Sequence, residues 1–138
     1  MRVAIDTYAL IKRYIAIQGG EELAALLADA TSLHIAPHCR VEMQAAFHRL
    51  RLTKQLSAAA CRAALTEFEQ DLVDFQLTPW STEIEDAAIK MLPNSNLRAM
   101  DALHVAAALA VEAEQFVTSD ERQAQAAKRA SIDTAFIA

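Results

Sequence analysis

Glycine is nearly absent from this chain: its 138 residues include two, Gly19 and Gly20, side by side. The G-x-G-x-x-G dinucleotide fingerprint and the G-x-x-x-x-G-K-[ST] phosphate loop both need spaced glycines, so neither can exist here. Cysteine is just as scarce. Cys39 and Cys61 are too few for a disulfide framework, and no C-x-x-C occurs. Two buried or half-buried thiols in a reducing cytoplasm are expected instead. Long apolar runs are missing as well. The best, Ala102 to Val111, contains His104 and falls short of the roughly 18–20 residues that span a bilayer. An acid at position 6 with no long apolar run behind it is not a secretory signal. A cytoplasmic protein with no membrane partner is the expectation.

Basic residues are outnumbered, 13 Lys and Arg against 18 Asp and Glu, for a net charge of −5. Taken whole, that balance argues against a nucleic-acid partner, because phosphate binding usually shows as a basic excess. The distribution argues differently. Residues 1–69 carry eight basic and seven acidic side chains, whereas residues 70–138 carry five and eleven. Between Arg40 and Arg62 five basic residues accompany one acid, Glu42. Charge alone leaves the partner open.

What is present is apolar residue, 54% of the chain, enough to exclude disorder and to bury a substantial core. The length fits one domain, residues 1–138, with no repeat, linker or low-complexity tract. Short apolar runs alternate with amphipathic stretches. Val3–Ile5, Leu33–Ala36, Phe75–Thr78, Gln115–Thr118 and Thr134–Ile137 read as strands. Between them, Thr7–Ile17, Glu21–Ala30 and Arg40–Leu52 read as helices, as does a long one capped by Ser57 with its stripe running from Cys61 to Phe75. Further helices open at Thr82, run from Leu97 to about Glu112 after a Pro93–Asn96 loop, and cover Glu121–Ala130. Strands alternating with helices predict a three-layer α/β/α sandwich on a mainly parallel five-stranded sheet. Thirty alanines suit close packing of helices onto such a sheet. Ligands in this class bind beyond the carboxyl ends of the strands.

Four carboxylates stand where that crevice would be. Asp6 follows the first strand and Asp120 the fourth. Each alone is explained as a helix N-cap. Asp101 lies in Leu97-Arg98-Ala99-Met100-Asp101-Ala102-Leu103-His104, a helix otherwise suited to burial, and needs a cation, a metal or several donors; Arg98 at i−3 would suffice. Glu42, in the first turn of its helix, is explained by the helix dipole alone. Crowded at one end of a sheet, however, such acids repel and raise one another's pKa unless a divalent cation sits among them. A hard cation such as Mg²⁺ takes oxygen ligands and suits a phosphate substrate. The residues alone reach a metal-dependent phosphoryl-transfer site and leave its substrate open.

The same segments resemble the PIN-domain nucleases, most closely the short VapC-type toxins of bacterial toxin–antitoxin pairs. The matching pieces are Ala4-Ile5-Asp6-Thr7-Tyr8-Ala9-Leu10, Arg40-Val41-Glu42-Met43-Gln44-Ala45-Ala46-Phe47-His48-Arg49, Arg98-Ala99-Met100-Asp101-Ala102-Leu103-His104-Val105-Ala106 and Phe116-Val117-Thr118-Ser119-Asp120-Glu121-Arg122. The resemblance implies a PIN-like fold, Mg²⁺ or Mn²⁺ at the acidic site, and endonucleolytic cleavage of RNA. It assigns the metal-site acids to Asp6, Glu42, Asp101 and Asp120, with Thr7 and Thr118 orienting carboxylates or waters behind them. It implies a homodimer and a cognate antitoxin. The chain departs from the family pattern in the turn before the last strand, where a glycine is common and Arg129–Asp133 holds none. Arg40, Arg49 and Arg98 are expected to meet RNA phosphates.

Other constellations fare less well. His34, His38 and Cys39 match no zinc motif, since Pro37 breaks any shared helix and no second ligand pair follows. His104, one turn after Asp101, reads as a packed or hydrogen-bonded core histidine. A receiver domain would need an acidic pair after the first strand, and a haloacid-dehalogenase-type phosphatase a second Asp where Tyr8 stands. A free-standing nuclease of RNA processing and a non-catalytic RNA- or partner-binding domain remain as alternatives.

Overall fold

The computed structural model describes every residue from Met1 to Ala138. Five strands form one sheet: β1 (Arg2–Ile5), β2 (Ser32–Ile35), β3 (Gln76–Leu77), β4 (Gln115–Thr118) and β5 (Thr134–Phe136). Their order is β3-β2-β1-β4-β5, and all four pairings are parallel. Alternation along β1 sorts the layers. Val3 and Ile5 join one core with α1 (Thr7–Leu10), α2 (Gly20–Ala28), α3 (Cys39–Leu52) and α4 (Ala58–Asp71). Ala4 faces a second core with α5 (Thr82–Met91), α6 (Ala99–Ala110) and α7 (Glu121–Arg129). The expected three-layer α/β/α sandwich is what forms, with a sheet that is wholly parallel. No helix is long and apolar enough to cross a membrane.

Helix starts follow local chemistry. Asp6, Ser57, Ser81 and Asp120 each sit in extended backbone and accept a main-chain N–H from the turn that follows. The second core is built largely of alanine. Ala102, Ala106 and Ala108 of α6 and Ala127 of α7 are completely buried beneath Phe116 of β4, so side chains without length set how near these helices lie to the sheet.

The helix expected over Thr7–Ile17 is much shorter. α1 ends at Leu10 and a 3₁₀ turn, Ile11–Arg13, takes over. Tertiary contacts explain the change: Tyr14 packs edge-on against Phe68 at 5.6 Å, and its hydroxyl donates to Asp71 Oδ2 at 2.8 Å. Likewise α4 stops at Asp71, and Leu72 and Phe75 pack on the core from outside the helix. The glycine-free turn before β5 closes because Ser131 adopts φ 64°, the conformation a glycine would otherwise supply.

Gly19 is the one glycine that the backbone requires. It caps α2 at φ 90°, and a Cβ there would lie 2.6 Å from Ile137 Cγ2 and 2.8 Å from the Ala138 carbonyl. Gly19→Ala is therefore expected to lower unfolding stability by about 1–3 kcal/mol through strain and overlap. Urea denaturation measures it, and an unchanged midpoint would contradict this account of the chain's closure.

Candidate functional site

Strands β1 and β4 are neighbours, with Ile5 in register with Val117. Between them the sheet order reverses, since β2 and β3 lie on one side and β5 on the other. Loops diverge at such a point and leave a crevice at the carboxyl edge. Asp6 and Asp120 stand there as the first residues beyond the two strands or their short turns.

Asp6 is completely buried. Its Oδ1 accepts the Ala9 N–H at 2.8 Å, its Oδ2 accepts the Thr118 hydroxyl at 2.7 Å, and its own N–H donates to the Val117 carbonyl at 3.1 Å. Burial drives its carboxyl above the ordinary carboxylate range. His104, the Ala9 N–H and Thr118 oppose that rise, and the nearby charge of Asp120 adds to it. Asp120 in turn accepts the Arg122 and Gln123 N–H groups on Oδ1, at 2.8 and 3.4 Å, and its own N–H donates to Thr118 Oγ1 at 3.0 Å. One threonine hydroxyl thus ties the two acids together.

Asp101, in the first turn of α6, joins through Gln123. The Gln123 side-chain amide donates to Asp101 Oδ1 at 3.2 Å, and the Arg98 main-chain N–H donates to Oδ2 at 3.4 Å. The anticipated Arg98–Asp101 pairing is therefore made by the backbone, and Arg98 keeps an exposed side chain. Gln123 was not legible as a site residue in its own right. It is 1% exposed and links Asp101 to Asp120, and its Oε1 is buried without a partner. The available signal was a polar residue on the alanine face of α7, beside Ala124 and Ala127. Tyr8 carries no comparable sequence signal; it is half exposed and lines a cleft of about 390 Å³ with Ser119, Asp120, Glu121 and Arg122.

Glu42 is placed differently. Its Oε1 accepts the Thr7 hydroxyl at 2.7 Å and His104 Nε2 at 2.5 Å, and lies 3.5 Å from His38 Nε2. Burial pushes its carboxyl up, but hydrogen bonding to His104, that ring's charge, Thr7 and His38 together hold it below the usual value. His38 Nε2 also lies 3.0 Å from the Met100 carbonyl, so that nitrogen carries the proton. Burial, then the charge of His104, lowers His38 to about 4 and keeps the ring neutral. His104 is a hydrogen-bonded core histidine, as its surroundings suggested, yet its partners are Glu42 and Thr7, 3.3 Å away. Its pairing with His38, which sequence separation concealed, puts the two rings 4.2 Å apart. His34 takes no part and pairs with Ser32. Burial pushes the neighbouring Cys39 thiol up to about 12, which leaves it unreactive.

The three expected RNA contacts differ in freedom. Arg40 is exposed but held by Glu69, with its Nε 3.0 Å from both carboxylate oxygens. Arg49 is exposed on α3, on the rim of an apolar groove of about 400 Å³ formed by Tyr8, Ile11, Ile15, Ile17 and Leu50 among others. Arg98 stands at the entrance to α6.

Asp6, Asp101 and Asp120 offer only oxygen donors, which fits a hard divalent cation. The upward push of Asp120 on Asp6 is the repulsion such a cation would relieve, and the orphaned Gln123 Oε1 is an acceptor with no occupant of its own. The three aspartates are thus linked through Thr118 and Gln123, whereas the side chains whose ligand atoms all come within 4.8 Å of one another are His38, Glu42 and His104. Glu42 is joined to the aspartates only through Thr7, the chain neighbour of Asp6.

The sequence matches the family model described as the PIN domain over residues 3–129. No curated protein matches it. Several solved structures share the fold at low identity. FitAcB from Neisseria gonorrhoeae is 12% identical with a TM-score of 0.69, covering 96% of this chain and 95% of that one. VapBC2 from Rickettsia felis, bound to a DNA fragment from its promoter, is 15% identical with a TM-score of 0.69, and the alignment covers 100% of both chains. VapC20 from Mycobacterium tuberculosis, described as a sarcin-ricin-loop-cleaving toxin, is 15% identical with a TM-score of 0.66, covering 90% of this chain and 94% of that one. With strand-end acids on a parallel sheet and a family match along nearly its whole length, the chain belongs to the PIN-domain family.

Proposed function

We propose that this protein is a Mg²⁺-dependent endoribonuclease, able to use Mn²⁺, and the toxin of a toxin–antitoxin pair in the cytoplasm. The observation that carries the reading is the linkage of Asp6, Asp120 and Asp101 through Thr118 and Gln123 at the sheet's switch point. Asp6, Asp101 and Asp120 hold the ion, and Glu42 completes the acidic set. When bound, a divalent cation supplies positive charge to the phosphate oxygens and acidity to a water. The chain's own work is positional. Thr118 holds Asp6 at 2.7 Å and Thr7 holds Glu42 at 2.7 Å, so neither carboxylate swings freely.

RNA reaches the site across a surface where Arg49 and Arg98 meet phosphates and the exposed Tyr8 ring offers a face for a base to stack on. Arg40 joins them only by leaving Glu69. The antitoxin is proposed as the occupant of the apolar groove beside Arg49. The complexes among the structural neighbours support a partner of that kind, such as one described as a toxin-antitoxin complex from Klebsiella pneumoniae. A homodimer is part of the same proposal.

Three outcomes test this reading. Cleavage of a fluorescent RNA in Mg²⁺ should fall by about two orders of magnitude in Asp6→Asn, and equal rates for both proteins would remove the catalytic assignment. Thr118→Val should cost about 1.5–3 kcal/mol, because Asp6 loses its hydroxyl donor in a dry site, and should slow cleavage roughly 10–100-fold. Thr118→Ser should restore both, and wild-type stability and rate in the valine variant would deny the hydroxyl its positioning role. Finally, Arg49→Ala and Arg98→Ala should each weaken RNA binding and flatten its dependence on log salt concentration by about 0.7. An unaltered salt slope would show that these side chains meet no phosphate.

A further inference from the structure

We propose that His38, Glu42 and His104 form a binding site for a divalent transition metal of the zinc class, separate in donor chemistry from the aspartates. The ligands come from the start of α3, where His38 is the N-cap and Glu42 lies in the first turn, and from α6, and no single stretch of sequence contains all three. One ligand atom from each lies within 4.8 Å of the others. His38 and His104 are almost completely buried, and Glu42 is half-buried at the edge of the crevice.

The hydrogen bonding points to a shared cation. Glu42 Oε1 accepts from the Thr7 hydroxyl and His104 Nε2 and lies 3.5 Å from His38 Nε2, whose own proton goes to the Met100 carbonyl. One oxygen and two ring nitrogens thus converge on one point, while Oε2 has no protein partner. Both rings turn Nε2 toward this point and leave Nδ1 buried without a partner. Ligands 2.0–2.1 Å from a tetrahedral Zn²⁺ stand about 3.3 Å apart. The His38–Glu42 spacing of 3.5 Å is already close to that, and the His104–Glu42 contact must open by less than an ångström or so. Thr7 Oγ1, 3.3 Å from His104 Nε2, lines the remaining position, where it or a water completes the set.

Two imidazoles and one carboxylate favour zinc-class ions over Mg²⁺, which takes oxygen ligands. Binding needs Nε2 of each ring free of its proton and leaves the remaining proton on Nδ1, and for His38 it gives up the hydrogen bond to the Met100 carbonyl. Neither Nδ1–H then has an acceptor, although metal-bound histidines nearly always have one, and each such omission lowers affinity roughly 10–100-fold. The site is thus reversible, weaker than a structural zinc centre. Glu42 is the one side chain common to this site and to the acids of the proposed nuclease site, so zinc here competes for it. The binding itself does not depend on the nuclease reading.

Calorimetric titration of the full chain with Zn²⁺ in millimolar Mg²⁺ tests the proposal. One Zn²⁺ should bind per chain. His38→Gln and His104→Gln should each weaken it at least about 10-fold, and Asp101→Asn should leave it within about 2-fold. Because a buried histidine variant can fail to fold, imidazole ¹⁵N–¹H spectra of the unmodified protein supply the second measurement. Zn²⁺ should shift Nε2 of His38 and His104 and leave His34 and His48 in place. No uptake in Mg²⁺, loss of uptake in Asp101→Asn with both histidine variants unaffected, or shifts at fewer than both of the two rings would each overturn the site.

Discussion

The carboxylate of Asp6 is the constraint on which the rest of the structure turns. It is wholly enclosed at the end of the central strand, where an ionised group without donors would be prohibitively costly. Its oxygens are therefore committed to the first turn of α1 and to the last residue of β4, while its own N–H closes onto Val117. Three elements converge on one side chain. Neighbouring strand ends must align for this to happen, and the parallel register of β1 with β4 supplies the alignment.

From Asp6 outward, the acids are joined by uncharged side chains, each serving two neighbours. Thr118 donates to Asp6 and accepts from Asp120; Gln123 serves Asp120 with its backbone and Asp101 with its amide. Such links place carboxylates without neutralising them, which a salt bridge would do. The one Arg or Lys ion-paired with any of the three aspartates, Arg122, lies 3.8 Å from Asp120. Positive charge for the acids must therefore come mainly from elsewhere. The proposed metal at these acids would supply it.

Much of the plan was legible because it is local. Strand periods of two, caps at Asp6, Ser57 and Asp120, and acids immediately beyond strands are short-range signals, and each recurs in the fold. The helix ending at Leu10 was not legible, because the pull of Phe68 and Asp71 on Tyr14 comes from residues more than fifty positions away. The same holds within the site. Asp101 could be singled out since a charge in an apolar helix demands a partner, but the partner, Gln123, lies 22 residues on. The His38–His104 contact joins α3 to α6 across 66 positions and has no trace in any local pattern.

The departure of Glu42 from the aspartates follows from the same packing. It stands on α3 one turn after His38, and α6 carries His104 one turn after Asp101, so where these helices approach, Glu42 meets both histidines. Glu42 sits between two chemistries, oxygen donors toward β1 and nitrogen donors toward α6. Net charge is blind to this division. A balance of −5 counts Asp6, buried and fully hydrogen-bonded, as equal to an exposed glutamate. It also counts Arg40, tied to Glu69, as equal to the unpaired Arg98. What a charged ligand would meet is set by the groups left without partners, among them Arg49 on the rim of the apolar groove and Arg98 at the start of α6.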